Sequence, residues 1–379
     1  MSEKTVAQEQ LRLLPERVLL AEQTTASKEL NAILWNLYSK KNWKPMKILV
    51  VGAGGSFPVA LFAKQVLSEE VRTSEIEAVT PQMAIRILTQ FDHILNCEWS
   101  PFYDAVIAIS YSGKTPDIQS VYKVCKSKKI KFVLLTKANP IEIKDIYEKR
   151  SIVSYYNEND DTGNERGMIS MASTLSPMAI FDNLLGEFKE DNQKCFALAQ
   201  EIVDEIEIKE IATAIKQTPI INVFYEWDTM PTAYDIESKF TESGIANVIL
   251  HEKKNFSHGR YVSLYKLKAG LNINLMRLPI VGGLDDESVE EAVIKGEISR
   301  TQYDSKLCKF LNSISAENGT PYFNIGNSAF MPNQWNILAM IKIPYFIVAI
   351  GKELGIDISK PLQPFPDEPK ELYNYKGKF

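Results

Sequence analysis

Four short apolar runs, Lys47–Val51, Ala105–Ile109, Lys131–Leu135 and Ile152–Tyr155, punctuate the first half of the chain. Segments of helical periodicity separate them, at Val59–Val71, Pro81–Gln90, Asp117–Ser127 and Ile141–Glu148. A continuous apolar run suits a strand buried on both faces, and strands alternating with helices build a parallel sheet wound on both sides. The pattern restarts after a helical bridge over Leu175–Thr218, with strand-like runs at Ile220–Tyr225, Asn247–Leu250, Leu271–Leu278 and Pro321–Ile325. Helical runs follow at Pro231–Ser243, Gln302–Ala316 and Gln334–Ile350. The expected fold class is α/β, with two doubly wound parallel-sheet domains in tandem. The expected boundaries are an N-terminal helical segment at 1–45, domains at 46–200 and 201–355, and a tail at 356–379. Such sheets bind ligands beyond the carboxyl ends of their strands.

The chain's 379 residues, 45% of them hydrophobic, suffice for two cores. Its net charge of −5 has the wrong sign for a general nucleic-acid binder. Residues 1–45 also lack a basic recognition helix. A local site can still be positive on an acidic protein, so small anionic ligands stay open. Cys97, Cys125, Cys195 and Cys308 are too far apart for a paired thiolate site, and reduced thiols without a metal are expected. The N-terminus has no secretory pattern, and the longest apolar stretch, Ile337–Ile350, is interrupted by Lys342 and Pro344. A cytoplasmic protein without a membrane partner is expected.

Two loops carry phosphate-binding chemistry. Gly52-Ala53-Gly54-Gly55-Ser56 follows the first strand and opens a helix, where close backbone approach and a helix N-terminus favour an anion. Phe57 replaces the third glycine of a dinucleotide fingerprint and no Gly-Lys-Ser/Thr follows, so the alternative is a plain tight turn. The second loop is Ser110-Tyr111-Ser112-Gly113-Lys114-Thr115, between a strand and a helix. Its three hydroxyls and backbone N–H groups match the oxygens of a phosphate monoester. Simple N-capping by Ser112 or Thr115 would need one hydroxyl.

Together these segments resemble the sugar-isomerase (SIS) domain family, over about residues 47–355. The resemblance implies SIS-type, flavodoxin-like domains in which Ser56, Ser110, Ser112 and Thr115 hold the phosphate of a sugar phosphate. Gly55, Tyr111 and Gly113 would line that site. Met171-Ala172-Ser173-Thr174 is similar to the family's Val-Ala-Ser/Thr-Thr segment, which implies that Met171 and Ser173 line the sugar; the lysine that follows it in the family is Leu175 here.

Imidazoles are scarce. His93 reads as structural, His251 as solvated beside Glu252-Lys253-Lys254, and His258 as reachable in the loop Asn255–Gly259. Asp235, Lys239 and Glu242 share one helix face, and the plainest reading is an exposed Asp235–Lys239 ion pair. Tandem SIS enzymes, however, carry a Lys-x-x-Glu pattern and a loop His-Gly sixteen residues after the Glu, which Lys239, Glu242, His258 and Gly259 match. The resemblance implies that Glu242 moves the C1/C2 proton, His258 helps open the sugar ring and Lys239 tunes Glu242. Arg260, in place of the common proline, either adds charge near substrate or pairs on the surface. In relatives the His comes from a second subunit, which implies a homodimer with composite sites. Tyr225-Glu226-Trp227 replaces the usual Gly-x-Gly turn, and the second domain has no Ser-x-Ser-Gly loop, so one phosphate site per chain is expected.

The likeness divides between phosphoglucose/phosphomannose isomerases on one side and, on the other, the isomerase half of glucosamine-6-phosphate synthase with the fructosamine deglycases. The expected function is a sugar-phosphate isomerase or amino-sugar-phosphate deaminase/deglycase, with no cofactor and no glutaminase domain. The alternative is a sugar-phosphate sensor, which would need the hydroxyls but neither Glu242 nor His258. Two further features stay open: the acidic stretch Gly282–Ile298, and Lys370, Lys376 and Lys378 as counterparts of the synthase's Schiff-base lysine.

Overall fold

The computed structural model describes residues 5–70, 74–90, 103–166, 169–184, 192–204, 207–266, 268–275, 299–324 and 332–359. They form two compact units, the first ending at Cys195 and the second starting at Phe196.

In the first unit, helices α1 (Val6–Glu22) and α2 (Ala26–Lys40) precede β1 (Lys47–Val51), α3 (Ser56–Glu70), β2 (Glu75–Val79) and α4 (Pro81–Thr89). Then come β3 (Ala105–Ile109), α5 (Pro116–Ser127), β4 (Lys131–Thr136), α6 (Pro140–Ile143), β5 (Ile152–Ser154) and α7 (Ala172–Asp182). All strand pairs are parallel, in the order β2-β1-β3-β4-β5. Successive residues of a strand face opposite sides. Leu49, Val51, Val106 and Ala108 accordingly meet Ile118, Val121 and Tyr122 of α5 on one side. On the other side α3 packs against α7, which also contacts α1, so the N-terminal helices belong to this unit.

Helix α8 (Asn192–Asp204) crosses the boundary, followed by α9 (Ile208–Gln217), β6 (Ile220–Tyr225), α10 (Met230–Glu242) and β7 (Asn247–Glu252). The short turns α11 (Lys253–Asn255) and α12 (Val262–Lys266) lead to β8 (Leu271–Asn274), α13 (Ser299–Asn318), β9 (Tyr322–Asn324) and α14 (Pro332–Leu354). This second sheet is also parallel, ordered β7-β6-β8-β9. Both sheets reverse winding beside their first strand, at β1/β3 and β6/β8, which is where such sheets open a crevice. The tandem α/β expectation holds.

Some elements differ from their sequence pattern. Strand β2 gave no apolar run, because Glu75-Ile76-Glu77-Ala78-Val79 is an edge strand with Ile76 alone fully buried. The helix expected over Ile141–Glu148 stops at Ile143. Ile143 and Tyr147 do reach the core at helical spacing, but through turns. The helical bridge consists, among the described residues, of three helices, α7 to α9. Cys125, Cys195 and Cys308 are buried free thiols. His93, Cys97, Gly282–Ile298 and the three tail lysines lie outside the described residues. Among those described, no helix is long and apolar enough to cross a membrane.

Candidate active site

The two glycine-bearing loops of the first unit sit at the carboxyl ends of β1 and β3, which are neighbours. Ser56 opens α3, its N–H bonded to the Ala53 carbonyl at 3.0 Å. In the second loop the Ser110 and Thr115 hydroxyls share a hydrogen bond of 2.8 Å. Thr115 occupies the N-cap position of α5 but makes no side-chain cap bond. The capping explanation for these hydroxyls therefore fails: the pair is spent on itself, at the mouth of an uncapped helix. The Ser112 hydroxyl accepts the Lys114 N–H at 3.2 Å and borders a cleft of about 420 Å³, with Tyr111, Lys114, Lys137 and Tyr156. Gly113 turns the loop at φ +64°, a conformation that side chains disfavour. Burial pushes the Tyr111 phenol up, and the Lys137 ammonium, 5.6 Å from its ring, is paired with Asp160 at 2.6 Å.

The Met171–Thr174 segment also reaches this end of the sheet. Thr174 donates to the Gly55 carbonyl at 3.3 Å, and a Cβ on Gly55 would stand 2.6 Å from Ser170. One carboxylate, Glu165, takes the N–H groups of Met171, Ala172 and Ser173 at 2.7, 2.6 and 3.0 Å. The N–H groups of Met171 and Ser173, the residues expected to line a sugar, are thus engaged internally. Sequence reasoning missed Glu165 because a capping box places its acid three residues inside the helix, whereas this one lies six before Met171. The buried Arg17 guanidinium holds the same loop, bonding Thr162 through side chain and carbonyl at 3.1 and 3.0 Å.

In the second unit Asp235, Lys239 and Glu242 do share a face of α10, but the ion pair is buried, both partners being at most 2% exposed. The expected surface pair is corrected here: helix α14 packs on α10, with Phe346 against Phe240, and covers the neighbourhood. Lys239→Met would strand the Asp235 carboxylate, lowering stability by about 3–5 kcal/mol in denaturant titration. The double variant Asp235→Leu/Lys239→Met should recover most of that loss. Glu242 accepts from the Ser238 hydroxyl at 2.8 Å. Burial raises its pKa above the usual carboxylate value, more than Ser238 and the Lys239 charge lower it.

His251 corrects a second expectation. It ends inside β7, paired with Phe224 of β6, stacked on that ring and 5% exposed. Asn222 donates to Asn272 at 2.9 Å, so its carbonyl oxygen accepts from His251 Nε2 at 3.0 Å. Burial, then the Arg260 charge, lowers the His251 pKa to about 4, so this imidazole stays neutral near pH 7. His258 is exposed, in a kinked turn whose next residue, Gly259, has φ +116°. It borders a cleft of about 640 Å³ with Trp227, Lys254 and the ion-paired Glu226 and Lys253. Arg260 is exposed and forms no ion pair among the described residues.

Within one chain Glu242 and His258 stand at opposite edges of the sheet. Glu242 closes α10 on the side where β7 begins, and His258 follows the far end of β7. The helix alone, 13 residues, spans about 20 Å between those edges.

No protein-family model matches the chain, and no curated protein matches it in sequence. Solved structures do. Tagatose-6-phosphate ketose/aldose isomerase from Escherichia coli superposes with TM-score 0.64 at 14% identity, covering 96% of this chain and 98% of that one. The C-terminal domain of glucosamine-fructose-6-phosphate aminotransferase from Francisella tularensis gives 0.61 at 12%, covering 95% and 99%. Glucosamine-6-phosphate deaminase from Thermotoga maritima gives 0.56 at 15%, covering 92% and 98%. The chain has the fold of these structures, the one that the sugar-isomerase resemblance implies.

Proposed function

We propose that the protein acts on a phosphorylated sugar or amino sugar, transferring a proton between C1 and C2. The observation that carries this reading is the Ser110–Thr115 hydroxyl pair at the start of α5, a helix without a side-chain cap: one hydroxyl donates to the other, and the second proton is left for an oxygen of a phosphate monoester. Ser56 and Ser112 complete the cradle. The fold shared with an isomerase, an aminotransferase domain and a deaminase for hexose 6-phosphates supports the same reading.

In the proposed reaction His258 assists ring opening and the Glu242 carboxylate removes the proton from one carbon. The enediolate then takes that proton back on the neighbouring carbon. With oxygen on both carbons the product is the isomeric sugar. With an amine on C2 the transfer leaves an imine, which water hydrolyses to a ketose and ammonia. No step requires a metal or cofactor. Because Glu242 and His258 lie at opposite ends of the strands within one chain, with α10 spanning about 20 Å between those ends, a complete acid–base set takes Glu242 from one copy and His258 from a second.

The test is a panel of hexose and 2-amino-hexose 6-phosphates beside their unphosphorylated sugars. Turnover is expected only with phosphate. Ser110→Ala/Ser112→Ala is expected to raise KM about 100-fold with kcat little changed, for two lost charge-assisted bonds at about 1.5 kcal/mol each. Equal kcat/KM with and without phosphate would overturn the reading.

A further inference from the structure

A second cleft, of about 820 Å³, lies in the first unit among α2, α5, the start of β4 and the turn before β5. This is the edge where the strands begin. The phosphate loop lies at the other, one strand length or about 17 Å away. Lys40, Lys126, Lys129, Lys131 and Arg150 line the cleft, and Glu148 is the one carboxylate among its lining residues.

That carboxylate is already shared. Arg150 reaches it at 2.8 Å and Lys126 at 3.4 Å, and those two partners hold its pKa below the ordinary value. Lys40, Lys129 and Lys131 have no carboxylate partner among the described residues. The Lys131 ammonium donates to the Arg150 carbonyl at 3.1 Å. Burial lowers its pKa most, and the neighbouring Arg150 and Lys40 charges lower it further. Helices α2 and α5 both end here, at Lys40 and Ser127. Their two carboxyl-terminal dipoles offset only about one unit of charge, against the four net positive charges that line the cleft. On a chain of net charge −5, helix capping does not account for the rest.

We propose that this cleft binds a small molecule bearing two or more linked phosphates, at a site separate from the phosphate loop. A single phosphate cannot face cations spread over two helix ends, a strand start and a turn, whereas linked phosphates can. Lysines on flexible stems suit such an extended anion. Ile33 and Leu37 supply an apolar wall for the remainder of the molecule. The volume is in the range of small-molecule sites.

Calorimetry on the full chain at low salt, with tripolyphosphate, orthophosphate and a single-stranded oligonucleotide as probes, tests this. Tripolyphosphate is expected to bind more tightly than the other two, and more weakly as salt rises. Lys129→Gln/Lys131→Gln should weaken it about tenfold or more, and Lys40→Glu, on an exposed helix end, should weaken it similarly. Glu148→Gln should strengthen it about threefold to tenfold by freeing Arg150 and Lys126, a gain that damage to the fold would not produce. Ser112→Ala, altered only at the phosphate loop, should leave it unchanged. The proposal fails if Ser112→Ala abolishes tripolyphosphate binding, if the lysine and Glu148 variants leave it unmoved, or if the oligonucleotide binds most tightly.

Discussion

Glu242→Gln is expected to lose about 10³-fold in kcat on whichever sugar phosphate the protein turns over, with KM within a few-fold of wild type. The amide keeps the shape of the side chain and can still accept the Ser238 hydroxyl, so the loss would report the missing base rather than a disturbed helix. The pH profile carries the same signature. Burial raises the Glu242 pKa, so its carboxylate form is lost as pH falls through a value above the ordinary carboxylate range. The wild-type rate should rise with pH through that raised midpoint. Ser238→Ala should move the midpoint higher still, because the hydroxyl bond favours the charged form. Steady-state kinetics across pH checks both. Undiminished turnover by Glu242→Gln would remove Glu242 from the reaction, and a chain that binds sugar phosphate without turnover would be a sensor instead.

The reach of the sequence differs between the two units for physical reasons. Strands β1, β3 and β4 were legible because central parallel strands are buried on both faces and must be apolar throughout. β2 was not, because this edge strand keeps Glu75 and Glu77 in solvent. The Ser110–Thr115 loop could be read from residue types, since few arrangements place three hydroxyls around one glycine. That they do not cap α5 depends on the Ser110–Thr115 bond, which residue types do not specify. For α10 the spacing of Asp235, Lys239 and Glu242 fixed a shared face, yet spacing within a helix says nothing about what packs on it. The burial of the ion pair depends on α14, nearly a hundred residues onward. His251 failed similarly. Its charged neighbours in sequence suggested solvent, while its register opposite Phe224 puts it in the core. Glu165 was invisible because its three partners are backbone amides, which have no sequence signature.

Mixing two inactive variants, Glu242→Gln and His258→Ala, should restore activity if each acid–base set takes its Glu from one copy and its His from another. Random exchange at equal concentrations makes half of the dimers mixed. Each mixed dimer has one set with both wild-type residues and one with neither. The mixture should therefore recover about a quarter of wild-type activity, about 250 times that of a Glu242→Gln sample reduced about 10³-fold. In a right-handed β–α–β unit the helix runs antiparallel to its strands, so a residue closing α10 and a residue following β7 lie at opposite edges of the sheet whatever their rotamers. Rotation of side chains moves charge by a few ångström, against about 20 Å of helix between those edges. Recovery is expected only after subunit exchange, so sedimentation of the mixture and a time course of regained activity should run together. If the mixture stays inactive although mixed dimers form, Glu242 and His258 do not act as one set across two copies. The same inactivity with no dimer at any concentration would leave the second copy without a role.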